Sequence, residues 1–121
     1  MQLFTIQLAK WRLLQHSDVE MIDVTLATGL KWMAPSPMLL ASYKGKRCTA
    51  EEYSVEFLRL CRERYREKPR PWQLMARKHR VAFACYCPKD CFCHRLELIP
   101  VYQGICQRMG IEFEYCGEVV I

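Results

Sequence analysis

The sequence lacks the features that would set it apart from ordinary globular chains. No apolar run approaches the roughly 20 residues a membrane helix needs, so no membrane partner is expected. Glycine is scarce, at 5 of 121 residues, and there are no repeats, low-complexity tracts or linker-like stretches. A single domain over residues 1–121 is therefore the expected organisation. The start, MQLFTIQLAKWRLL, has no basic stretch ahead of its apolar residues and no small-residue cleavage site. It predicts a first strand rather than an export signal. Without export, a reducing cytoplasmic setting is expected, where cysteines serve metal binding or thiol chemistry ahead of disulfides.

What is present is a 51% hydrophobic fraction and eight cysteines. That apolar content suffices for a sizeable core and excludes a disordered chain. Net charge is +5, but its distribution says more than its sum. Between Arg59 and Arg80 lie nine Lys/Arg and two acids, Glu63 and Glu67, out of 18 basic and 13 acidic residues in the whole chain. The remainder, nine basic and eleven acidic, is mildly acidic. Such segregation suits a phosphate backbone or an acidic partner surface, although a solvated helix face is the commoner origin of a basic run.

Hydrophobic periodicity orders the chain. LFTIQL (3–8) alternates and reads as a strand, and AKWRLLQHSD has room for a short helical turn. VEMIDVTL (19–26) is a second strand with Asp23 near its carboxyl end. The stretch that follows is irregular, with PMLLASY a short helix opening at its proline. Thr49-Ala50-Glu51-Glu52 is a capping box that starts a helix. That helix carries Tyr53, Phe57, Leu60, Cys61 and Tyr65 on one face and Arg59, Arg62 and Arg66 on another. Pro69 and Pro71 should end it, with a shorter helix from Trp72 to Lys78. VAFACY (81–86) is a continuous apolar run, hence a central strand covered on both faces. A helix from His94 to Met109 should turn Leu98, Tyr102, Ile105 and Met109 inward and stop at Gly110, with Pro100 either kinking it or delaying its regular part. IEFEY (111–115) is a last strand. Alternating strands and helices predict parallel crossovers and a small three-layer Rossmann-like α/β fold, with a mostly parallel sheet of about four to five strands.

The densest chemistry is CYCPKDCFCHR, residues 85–95. It should lie beyond the carboxyl ends of the strands, where such folds collect ligands. As an anion site, Arg95 and the helix N-terminus would hold a phosphate or carboxylate. Cys93 would then be a thiol of lowered pKa, with Cys87 beside it and His94 as proton donor or acceptor. Zinc would draw on Cys87, Cys91, Cys93 and His94, but no second Cys-x2–4-Cys knuckle exists. No cofactor is therefore expected, and the anion site leads. Cys61, Cys85, Cys106 and Cys116 are read as packing residues. The Cys-x5-Arg spacing of cysteine phosphatases is absent.

Three pieces in order, LFTIQLAK, MAPSPMLLASYKGKRCTAEEYSVEFL and VAFACYCPKDCFCHRLELI, resemble a phage and bacterial branch of the domain of unknown function 488 family. The resemblance implies a compact Rossmann-like domain with a site around Cys87, Cys93, His94 and Arg95. Pro35, Ser36, Tyr43 and Lys44 would approach from the first long loop. Relatives often carry Arg after the Asp of the second strand, where this chain has Val24. Together these readings predict binding of a nucleotide or nucleic-acid phosphate, with its processing as the enzymatic form of the same reading. Lys44 and Asp23 would lie at the ligand, with Trp32 and Tyr43 placed to stack a base. Arg59, Arg62 and Arg66 would touch nucleic acid. The alternatives are an accessory protein that binds a host protein or sequesters a nucleotide signal, and a zinc-stabilised nucleic-acid-binding module.

Overall fold

A computed structural model describes residues 1–87 and 93–120. Four strands, β1 (Gln2–Gln7), β2 (Glu20–Asp23), β3 (Arg80–Cys85) and β4 (Glu114–Glu118), form one parallel sheet in the order β2-β3-β1-β4. A 3-10 segment, Leu8–Leu14, follows β1. Helices α1 (Pro37–Lys44), α2 (Ala50–Glu67) and α3 (Pro69–Ala76) separate β2 from β3, and α4 (His94–Met109) joins β3 to β4. This is a small α/β domain of Rossmann-like design.

The strand order explains how the layers are filled. From β1 the chain moves two places across the sheet to β2, then returns one place to β3 and continues two places to β4. Right-handed crossovers put connections of opposite direction on opposite faces. The 3-10 segment accordingly packs on β1 and β2, while α4 packs on β1 and β3 among the other helices. One face holds the main core, including Leu3, Val81, Phe83, Phe57, Trp72 and Tyr102. The other holds a smaller cluster around Ile6, Val19, Ala82 and Ala84, covered by Leu8 and Leu14. Among the described residues, the 3-10 segment is the one helical element of this third layer. The direction of winding reverses between the neighbours β1 and β3, which makes the crevice at their carboxyl ends the topological switch point.

Local chemistry sets the helix limits. The capping box of α2 is complete: Glu52 N–H donates to Thr49 Oγ1 (3.1 Å) and Thr49 N–H to Glu52 Oε1 (2.9 Å). Loss of such a cap costs about 1 kcal/mol. Helix α4 ends at Gly110 (φ +70°), in the left-handed region that glycine enters without penalty, and Ile111 N–H closes on Cys106 O at 2.9 Å.

Three expectations shift. Pro69 and Pro71 begin α3 rather than precede it, because the first turn of a helix does not use the N–H groups that proline lacks. α4 is regular from His94 onward, so Pro100 does not delay its start. The last strand starts at Glu114, three residues later than IEFEY, since Gly110 and Ile111 are taken up by the cap. Within β4, Leu3 pairs with Tyr115 and Phe4 with Gly117, so Cys116 is the extra residue of a bulge. Cys116 is exposed, like its neighbours Glu114 and Tyr115 on this edge strand, not packed in the core as expected.

Candidate functional site

The carboxyl end of β3 lies against that of β1, where Gln7 pairs with Cys85, and so faces the switch point. Here the sulfurs of Cys85, Cys87 and Cys93 all lie within 4.8 Å of one another. Cys85 ends β3 and Cys93 is the N-cap residue of α4, so the two elements on either side of residues 88–92 converge on one point. Cys85 and Cys93 are buried, and Cys87 is partly exposed. The sulfurs of Cys85 and Cys93 are in direct contact, with their Cα atoms 7.7 Å apart. Disulfide-linked residues span about 4.4–6.8 Å between Cα atoms. Two thiolates sharing one metal ion reach further, because each adds an arm of about 2.3 Å. Cys91, the other candidate ligand from the sequence, lies outside the described residues.

Arg95 is completely buried beside these sulfurs. Its Nη1 donates to Cys85 Sγ at 2.8 Å and to the Cys87 carbonyl at 3.2 Å. Nε and Nη2 donate to the two carboxylate oxygens of Glu118 at 3.3 and 2.9 Å. A buried guanidinium is strongly unfavourable without a counter-charge, and a two-point carboxylate is the geometry that suits it. The fork expected to take up a phosphate is thus engaged by Glu118, at the end of β4. Sequence reasoning missed Glu118 because only the β1–β4 pairing carries it across the sheet to Arg95.

His94 is buried too, and its Nε2 lies 2.7 Å from the Val24 carbonyl. A carbonyl accepts, so the proton sits on Nε2 and leaves Nδ1 facing Cys93 Sγ at 3.7 Å. Burial lowers the His94 pKa, and the positive charge of Arg95 adds to that, against the Val24 hydrogen bond and Asp23. The ring is a neutral brace between the end of β2 and the start of α4.

Asp23 closes the β2 side. Its carboxylate accepts from the Thr25 N–H (2.9 Å) and hydroxyl (2.7 Å) and from the Thr28 hydroxyl (2.5 Å). The Thr28 hydroxyl also lies 2.8 Å from that of Tyr86, just beyond β3. Burial alone would raise the Asp23 pKa, but these hydrogen bonds, with help from His94, bring it below the usual carboxylate range. A Cβ at Gly29 would collide with Asp23, which explains the glycine there. Asp23 is occupied within its own turn rather than presented to a ligand.

The other predicted site residues scatter. Tyr43 packs against Tyr53 (centroids 4.9 Å apart), whose hydroxyl is held protonated by burial and the nearby Cys87. Trp32 meets Trp72 edge-on, also at 4.9 Å, as a packing residue. Ser36 caps α1 by accepting from Leu39 N–H, and Pro35 is buried. Lys44 is exposed at the end of α1, with no polar partner among the described residues. Arg59, Arg62 and Arg66 all face solvent, but Arg59 is bound to Glu56 and Glu63 (2.8 and 2.6 Å) and is no free cation. Arg64, between them, turns inward to the carbonyls of Trp32 and Ala34. Cys61 and Cys106 behave as expected: burial pushes the Cys61 thiol up to about 12 and raises that of Cys106. Cys85, expected to be a packing residue, instead supplies the sulfur that Arg95 touches.

Fold and site together define a Rossmann-like α/β domain with a three-cysteine cluster, two of its members buried, at its switch point. Comparison with protein-family models, curated proteins and solved structures gives no match in any of the three.

Proposed function

We propose that this chain is a metal-stabilised α/β binding domain in which Cys85, Cys87 and Cys93 hold one thiophilic divalent cation, zinc in the first instance. The convergence of the three sulfurs carries this reading. Tetrahedral thiolate sites place sulfurs about 3.8 Å apart, from arms of about 2.3 Å. The three sulfurs already lie within 4.8 Å of one another, and in the metal-bound form those of Cys85 and Cys93, here in direct contact, would move apart to that spacing. Three adjacent thiolates repel one another, and a divalent cation removes most of that repulsion. Arg95 supports the same arrangement from outside, as an N–H donor to Cys85 Sγ fixed by Glu118. The ion would tie the end of β3 to the start of α4, which is a structural task.

A catalytic phosphate site at the same place would need a guanidinium open to the ligand, and Arg95 is committed to Glu118. The nucleotide or nucleic-acid partner expected from the sequence now rests on Arg62 and Arg66, which are exposed and have no carboxylate partner among the described residues. Elemental analysis of protein purified under reducing conditions tests the metal reading. About one zinc per chain is expected, and cobalt substitution should give thiolate-to-metal charge-transfer bands that weaken in Cys85→Ser, Cys87→Ser and Cys93→Ser. Protein that folds fully without metal, or cobalt bands indifferent to all three substitutions, would refute it.

A further inference from the structure

Helices α2 and α4 lie side by side and point the same way. Ser54 near the start of α2 donates to Glu97 in the first turn of α4 (2.6 Å). Further along, the two helices line an open groove of about 320 Å³. Its floor is apolar, with Cys61 and Ile105 buried and Leu58 and Val101 half-buried. Arg62 on α2 and Arg108 on α4 line it from opposite sides, both exposed. Neither has an ion pair or side-chain hydrogen bond among the described residues, whereas Arg59, Lys78, Arg80 and Arg95 each face a carboxylate.

The α4 wall contains the two residues least suited to a helix interior, Pro100 and Gly104. Nothing lies within 4 Å of a Cβ built at Gly104, so no neighbour in the fold requires the glycine. Its effect is to leave the groove open.

We infer that this groove docks an acidic amphipathic helix of a partner protein. Two apolar side chains one turn apart would lie on the floor, and carboxylates on either side would meet Arg62 and Arg108. A trough between parallel helices is the shape that the ridge of a third helix fills, and cations on both sides select acids. A nucleic-acid strand would use the cations and leave the apolar floor unused. The inference is independent of the metal reading, because the groove lies toward the carboxyl ends of α2 and α4, away from the sulfurs at the amino end of α4.

A displayed library of peptides of about 12 residues, roughly three helical turns, panned on the full chain tests this. Selected peptides are then titrated by fluorescence anisotropy, and a labelled single-stranded oligonucleotide is titrated in parallel. Enriched sequences should carry Asp or Glu around apolar residues spaced i, i+4. Gly104→Leu should weaken them by about tenfold or more while the circular dichroism spectrum is retained, since the new side chain occupies the groove. Arg62→Glu with Arg108→Glu, both at exposed positions, should do the same and provides the test should Gly104→Leu disturb α4. Enrichment without that pattern, binding indifferent to these variants, or oligonucleotide affinity that falls as much with Gly104→Leu as peptide affinity does would overturn the inference.

Discussion

The carboxyl ends of the strands and the groove between α2 and α4 treat charge in opposite ways. At the carboxyl ends of the strands, Arg95 is buried against Glu118, His94 is braced on a carbonyl, and Asp23 is enclosed by two threonines. Toward the carboxyl ends of α2 and α4, Arg62 and Arg108 stand in solvent beside an apolar floor with no partner among the described residues. The first region satisfies its groups internally, which is how a structural centre is built. The second leaves cations and apolar surface uncovered, which is how a docking surface is built. A chemically rich cluster is therefore not by that fact the working surface of a protein.

The largest effect should come from the sulfurs. Structural zinc contributes on the order of 10 kcal/mol of apparent binding free energy at neutral pH, more than the whole stability of most domains of this size. Cys93→Ser, or a strong chelator, should abolish cooperative thermal unfolding, whereas Arg62→Glu should leave it intact. A chelated protein that melts as sharply as before would make the thiol end no more structural than the basic end.

Next is the ion pair behind the sulfurs. Arg95→Met leaves the Glu118 carboxylate, whose side chain is 14% exposed, beside an apolar group, and should cost about 3–5 kcal/mol in urea unfolding. Adding Glu118→Gln should recover part of that loss. If the double variant is no better than the single one, the two groups are not coupled as described.

The opposite sign is expected at the groove. Gly104→Ala should stabilise the chain by roughly 0.5–1 kcal/mol, because alanine is the better helix former and its Cβ meets open space. Loss of stability there would mean that the glycine serves packing.

A smaller effect concerns acid. The folded pKa of Asp23 is depressed, so its ionised form adds stability that is full above the unfolded value of about 3.9. That contribution is lost as pH falls through the lower folded value. Asp23→Asn should therefore reduce stability at neutral pH and flatten the acid limb below about pH 4. A parallel acid limb in the variant would remove Asp23 from the account.

The least change in stability is expected from Arg62→Glu with Arg66→Glu, both solvent-facing. A labelled oligonucleotide measures what they do instead. If the basic face contacts nucleic acid, affinity should fall with salt and with these reversals, and Arg59→Glu should matter less, because Arg59 is already neutralised by Glu56 and Glu63.

Much of the architecture is legible in the sequence because its causes are local. The Thr49–Glu52 box starts α2, Gly110 ends α4, and the apolar run Val81–Cys85 marks the buried central strand; each depends on residues a turn or a strand apart. The alternation of strands and helices, with right-handed crossovers, led to a parallel sheet, and the sheet is parallel. The crowding of Cys85, Cys87 and Cys93 near a helix start was equally visible as letters in order. Tertiary structure alone decided what those letters do. Strand order brought Glu118 to Arg95 across 23 residues and so closed the fork that the sequence offered to a phosphate. The edge position of β4 left Cys116 outside the core, and the sulfur of Cys85 came to Cys87 and Cys93 instead of serving as packing. The groove between α2 and α4 exists only where Gly104 and Arg62 come together from separate helices. Caps, turns and periodicities are short-range and can be read along the chain, whereas charge pairing and burial depend on which distant element arrives, and that is set by the packing of the whole sheet.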